Sequence, residues 1–239
     1  MDTVTEDICI DGRTVVSTRP VGEGPWPGVV MLHEALGIDD VLRRQADRLA
    51  QAGYVVLAPD LFGEGSWLGC IITAFRAMRA RQGRPFEVIQ ASRHQLLYDP
   101  RCTGKVGVIG FCMGGGFALL LGNHGFDASS VNYGMIPKDL DQALRGSCAM
   151  VGSFGARDTM LAKQVPWLQE TLTRLDIPHD VKVYPTAGHS FLNDAENVPK
   201  VLRPIMRAAG VGPDPEAAVD AWERIEAFFG THLGPDSRR

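Results

Sequence analysis

Two short runs, Gly-Val-Val-Met-Leu-His at 28–33 and Tyr-Val-Val-Leu-Ala at 54–58, stay apolar almost without a break. A strand with that pattern has no wet face, so it must lie inside a sheet that is covered on both sides. Between them, residues 41–52 carry leucines at helical spacing and stop at Gly53. Strand, helix and strand in that order make parallel neighbours, and the alternation continues along the chain. Further strands are predicted at 105–110, near 129–133, at 148–154 and at 180–184. Helices are predicted over roughly 67–97, with a break near Gly83-Arg84-Pro85, and over 165–175. A short helix is expected around 198–209. Pro213-Asp214-Pro215-Glu216 opens a last helix, with Val219, Trp222, Ile225 and Phe229 on one stripe. At the other end, 5–10 and 13–18 flank Asp11-Gly12, a strong two-residue hairpin signal. The expectation is an α/β fold, a mostly parallel central sheet with an N-terminal antiparallel hairpin and helices on both faces. At 239 residues it suits one domain spanning 1–239.

Composition narrows the function. Twenty-four Lys and Arg against 28 Asp and Glu give a net charge of −4, without the basic footprint of a nucleic-acid or anionic-membrane binder. The acidic opening lacks a signal-peptide pattern, and no apolar stretch approaches the ~18–20 residues of a membrane span. The most apolar local run, 67–75, reads as the buried side of a helix. Five cysteines with no C-x-x-C spacing read as free thiols in a reducing cytoplasm. Cys9, Cys70, Cys102 and Cys148 read as small buried hydrophobes.

Cys112 is different. Gly110-Phe111-Cys112-Met113-Gly114 follows a predicted buried strand and precedes a helix. This is the nucleophile-elbow pattern with cysteine in place of serine. The turn is so sharp that a Cβ two residues before or after the nucleophile would collide with backbone. Backbone N–H groups of the helix start favour a thiolate and a developing oxyanion. A phosphate-cradling loop fits less well, because the middle glycine of G-x-G-x-x-G and a Walker lysine are both missing. Partners should follow in the order acid, then histidine. Asp158 lies just beyond one predicted strand and His189 just beyond the last, on the same rim as Cys112. The imidazole would move the thiol proton, and the carboxylate would orient the imidazole.

A third rim feature is His33-Glu34-Ala35-Leu36-Gly37. It is not H-E-x-x-H, since Gly37 replaces the second histidine, and no other metal-ligand spacing occurs. The loop after this strand is where a second oxyanion-hole N–H comes from, which makes Ala35 the counterpart of Met113. Glu34 is either a solvated loop acid or a carboxylate that controls the thiol's protonation.

Together with Ala58-Pro59-Asp60-Leu61-Phe62-Gly63, Gly155-Ala156-Arg157-Asp158 and Gly188-His189-Ser190-Phe191, these motifs resemble the dienelactone hydrolases, the carboxymethylenebutenolidase group of α/β-hydrolases. The resemblance spans about residues 5–230. It implies a triad of Cys112, His189 and Asp158, and a Glu34 carboxylate that interacts with the resting thiol and gives way to substrate. It implies hydrolysis of a small ester or lactone of the dienelactone type, with no metal or organic cofactor. One departure stands out. Four residues after the histidine, where the family carries a carboxylate-binding arginine, this chain has Asn193. A second family arginine could correspond to Arg76, Arg79 or Arg81. Two rivals remain: an esterase in which Cys112 is incidental, against which stands the absence of any G-x-S-x-G, and a hydrolase-fold protein that binds a small ligand or partner without turnover. Oligomeric state is not legible.

Overall fold

A computed structural model describes residues 1–63, 65–198 and 200–234. It opens on β1 (Thr3–Ile10) and β2 (Arg13–Pro20), an antiparallel hairpin paired Ile10 to Arg13 at its tip. Both turn residues are left-handed, Asp11 at φ 50° and Gly12 at φ 72°, as a turn matching the twist of the strands requires. The remaining strands are β3 (Trp26–Leu32), β4 (Val55–Pro59), β5 (Cys102–Phe111), β6 (Ala128–Asn132), β7 (Ala149–Gly155) and β8 (His179–Tyr184). They form one sheet in the order β1-β2-β4-β3-β5-β6-β7-β8, parallel from β4 to β8, with β2 antiparallel to β4. Val29, Val30, Met31 and Leu32 are wholly buried, as their unbroken apolarity requires.

The helices are α1 (Asp40–Gln51), α2 (Trp67–Ala80), α3 (Arg84–Tyr98), α4 (Met113–Leu121), α5 (Leu140–Leu144), α6 (Thr159–Ala162), α7 (Val165–Arg174), α8 (Arg203–Ala208) and α9 (Pro215–Leu233). The break between α2 and α3 falls where Gly83 and Pro85 place it: Arg81 ends α2 in the left-handed region, and α3 starts with Pro85 in its first turn. α4 is buried along its whole length. Of the expected helix over 198–209, Arg203–Ala208 is helical; Pro199 lies outside the described residues.

Three expectations fail. The run 67–75 forms a helix, but Trp67, Leu68, Ile72 and Phe75 are exposed, and α2 buries Cys70, Ala74, Ala77 and Met78 instead. Cys70, Ala74 and Ala77 are small and let the helix lie close against the protein body, and Met78 packs where Gly116 of α4 leaves room for it. Apolarity all round left its inner face unmarked. On α9 Trp222, Ile225 and Phe229 are buried as expected, but the buried face continues through Ala217, Ala221 and Leu233, a four-residue ridge inclined to the axis, which turns Val219 outward. Cys9 is exposed because it sits on the outermost strand of the sheet.

Candidate active site

The turn from β5 to α4 puts Cys112 at φ 52° and ψ −114°, a conformation that costs a non-glycine residue roughly 1–3 kcal/mol. Close packing of the neighbouring backbone holds it there. A Cβ on Gly110 would fall on the backbone of Gly114, and one on Gly114 would fall on the Leu32 carbonyl at the end of β3. The Cys112 N–H donates to the Asn132 carbonyl at 3.0 Å, tying the elbow to β6. The sulfur-bearing residue is half-buried at the carboxyl rim of the sheet, and the N–H of buried Met113 lies in the first helical turn, where donors have no intrahelical partner.

His189 follows β8. Its own N–H donates to Gly210 O and its carbonyl accepts from Gly212 N–H, both at 2.9 Å, so the segment after α8 anchors its backbone. Asp158 follows β7 and caps α6. Its Oδ2 lies 2.6 Å from His189 Nδ1. Burial alone would favour the neutral imidazole, but the hydrogen bond with Asp158 and the influence of the Cys112 sulfur outweigh it and lift His189 to about 10. Burial opposes the Asp158 charge in the same way, and the bond to His189 reverses it, leaving the carboxyl below its usual range.

These shifts have a sign. His189 is raised from 6.5, so its contribution to stability is complete below about 6.5 and is lost as pH rises through about 10. Asp158 contributes above its ordinary 3.8 and loses that contribution as pH falls through its lowered value. Between pH 6.5 and 10 the melting temperature of the native chain should therefore fall more steeply than that of His189→Gln. Parallel curves in thermal melts at pH 6, 8 and 10.5 would refute the coupling.

Glu34, after β3, lies on the same rim. Its Oε2 accepts from Asn193 Nδ2 at 3.3 Å and Asn197 Nδ2 at 3.2 Å, and Asn197 also reaches Asp39 at 3.0 Å. Its Oε1 is buried with no hydrogen-bond partner, as is the hydroxyl of Tyr133. Tyr133 follows β6 at φ 39°, with its ring 5.1 Å from that of His189. Burial raises its phenol well above the ordinary value, and the charges of Glu34 and Cys112 raise it further. His33 is wholly buried. Its Nε2 accepts from Leu61 N–H at 3.0 Å, so Nδ1 carries the proton and donates to the Glu34 carbonyl at 2.6 Å. Ala35 is held from outside, its carbonyl accepting from Trp67 Nε1 at 2.8 Å.

The structure thus brings Cys112, His189, Asp158 and Glu34 to one rim, with Met113 and Ala35 beside them. Asn193 is buried, its amide shared between Glu34 and Gln45. Arg76 is exposed. Arg79 and Arg81 both line a cavity of about 620 Å³ with Phe75, Met78 and Met135, and Arg81 pairs there with Asp139 at 2.6 Å. Tyr133, Asn197 and Trp67 were missed as site residues. Tyr133 had a usable signal, its place at the carboxyl end of a predicted strand; the other two had none.

A family model described as the dienelactone hydrolase family matches residues 10–233. The chain is 26% identical to a carboxymethylenebutenolidase of Rhodococcus opacus, over 88% of this chain and 83% of that one. Among solved structures it is similar to a dienelactone hydrolase-like promiscuous phosphotriesterase from metagenomic libraries (TM-score 0.79, 25% identity, 98% and 99% of the two chains). It is also similar to a dienelactone hydrolase from Anabaena variabilis (TM-score 0.67, 18% identity, 97% and 98%).

Proposed function

Because the chain belongs to the dienelactone hydrolase family and is a hydrolase of the ester or lactone type, we propose that it works covalently through Cys112, His189 and Asp158. The observation that carries this is the placement of His189. Its Nδ1 is 2.6 Å from Asp158, and both residues follow strands that end on the rim carrying the strained elbow of Cys112. The thiol passes its proton to His189 as the sulfur attacks the carbonyl carbon, an S–C bond forms, and the oxyanion collects at the N–H groups of Met113 and Ala35. The C–O bond then breaks, and the departing oxygen takes the proton from His189. In a lactone that oxygen stays on the acyl group. Water, deprotonated by His189, next attacks the thioester and frees the acid and the sulfur. No step calls for a metal or an organic cofactor.

Incubation with a p-nitrophenyl ester should release p-nitrophenol and leave an acyl adduct on Cys112 detectable by mass spectrometry after rapid acid quench. Prior iodoacetamide should abolish both. Turnover that survives complete alkylation of Cys112 would discard the reading. The substrate is a small molecule, and no helix among the described residues is long and apolar enough to cross a membrane. On five free thiols and a near-balanced charge, we place the chain in the cytoplasm as one catalytic domain over 1–239, without nucleic-acid or membrane partners.

Glu34 belongs to the same reading. A carboxylate with one buried, unpartnered oxygen beside the nucleophile opposes a second negative charge on the sulfur. Glu34→Gln keeps the shape and removes that opposition. Cys112 should then alkylate several-fold faster with iodoacetamide at pH 7 and oxidise more readily, while ester turnover falls. Rates unchanged on both counts would make Glu34 a structural loop residue.

A further inference from the structure

Six of the apolar side chains that this protein leaves in solvent lie on segments that border the site. Trp67 and Leu68, at the start of α2, are 54% and 60% exposed. They adjoin the Glu34 loop, because Trp67 donates to the Ala35 carbonyl. Leu36, on that loop, is exposed as well. Across the rim, Val201, Leu202 and Ile205 are 82%, 46% and 67% exposed. Their segment is anchored to the site at both ends, by Asn197 on Glu34 and by Gly210 on His189. Large apolar side chains left in solvent on two segments tied to the Glu34 and His189 loops suit a ligand with an apolar part.

The charges point the same way. Glu34 keeps an unpartnered carboxylate oxygen at the site. Three arginines near these segments are taken, Arg44 by Asp194 at 2.5 Å, and Arg203 and Arg207 both by Glu196. Asn193 spends its amide on Glu34 and Gln45. An anionic substrate would meet a negative charge with no free cation among these groups to offset it.

We infer that the substrate is a neutral ester or lactone with an extended apolar group, an alkyl chain or aryl ring, seated between the start of α2 and the segment around 201–205. This rests on the hydrolase reading above and adds the substrate class to it. The apolar group leaves water as the reacting carbonyl reaches Cys112, so each buried methylene adds to kcat/KM.

The test uses the full chain with p-nitrophenyl acetate, butyrate and octanoate below micellar concentration, and the anionic mono-p-nitrophenyl ester of succinic acid. From acetyl to octanoyl, kcat/KM should rise about a hundredfold, since part of the chain remains in solvent. The anionic ester should be at least about tenfold slower than the butyrate. Leu68→Glu and Ile205→Glu, both at exposed positions that tolerate charge, should each compress the octanoyl-to-acetyl ratio about tenfold. That ratio is internal to one sample, so partial misfolding does not alter it. A flat chain-length profile overturns the inference while leaving the hydrolase reading intact. So does a ratio that ignores both variants, or a flat profile with a dimer that Leu68→Glu dissolves. No turnover of any ester overturns both.

Discussion

Cys112→Ala is expected to remove essentially all ester turnover, a fall of about 10⁴-fold or more in kcat. Residues that act as a covalent unit lose nearly the whole advantage when one is removed. The elbow should survive. Alanine meets the same backbone cost at φ 52° that cysteine already bears, and the hydrogen bond from the residue's N–H to Asn132 is independent of the side chain. Folding and chemistry are thereby separated: the melting temperature should move by no more than about 2 °C, within the range of mild substitutions. A variant that keeps a tenth of native turnover with an unchanged melt would remove Cys112 from the mechanism. It would also revive the view of its thiol as incidental.

The second large effect is on folding. In Gly114→Ala the new Cβ would sit on the carbonyl of Leu32, and both partners are backbone in the middle of the molecule. Neither can rotate away, unlike a side-chain neighbour. Relief requires separating α4 from the end of β3, and a loss of about 4 kcal/mol or more is expected. In a chain of this size that lowers the melting temperature by about 8–16 °C. Gly230→Ala is the internal control. Nothing lies within 4 Å of its added Cβ, and it stands in α9. There alanine should stabilise by about 0.5–1 kcal/mol, since glycine is the poorer helix former. Thermal melts of the two variants side by side should show opposite signs, and equal small shifts would mean that the elbow is looser than its packing implies.

The elbow glycines were legible because their reason is local: a strand, a reversal and a helix within seven residues leave no room for a Cβ. The hairpin at Asp11-Gly12 and the break at Gly83-Arg84-Pro85 were legible on the same ground, since φ preference belongs to the residue itself. The places of Asp158 and His189 followed from one topological rule, that open parallel sheets gather their working groups at the carboxyl ends of strands.

Other features depend on contacts between residues far apart in the chain, for which local pattern carries no record. Asn197 holds Glu34 across more than 160 positions, and Trp67 holds Ala35 across 32. The strand order, with β4 beside β2 and β3 inside it, reflects packing of whole helices on the sheet. α2 shows the limit most clearly. Its run 67–75 is apolar enough to be buried on any side, and only close approach to the body selected the row Cys70, Ala74, Ala77 and Met78. Small residues win that contact because they let two backbones come near. The large ones were left facing out beside the Glu34 loop, so the apolar rim of the site was decided by packing geometry, with hydrophobicity common to both faces.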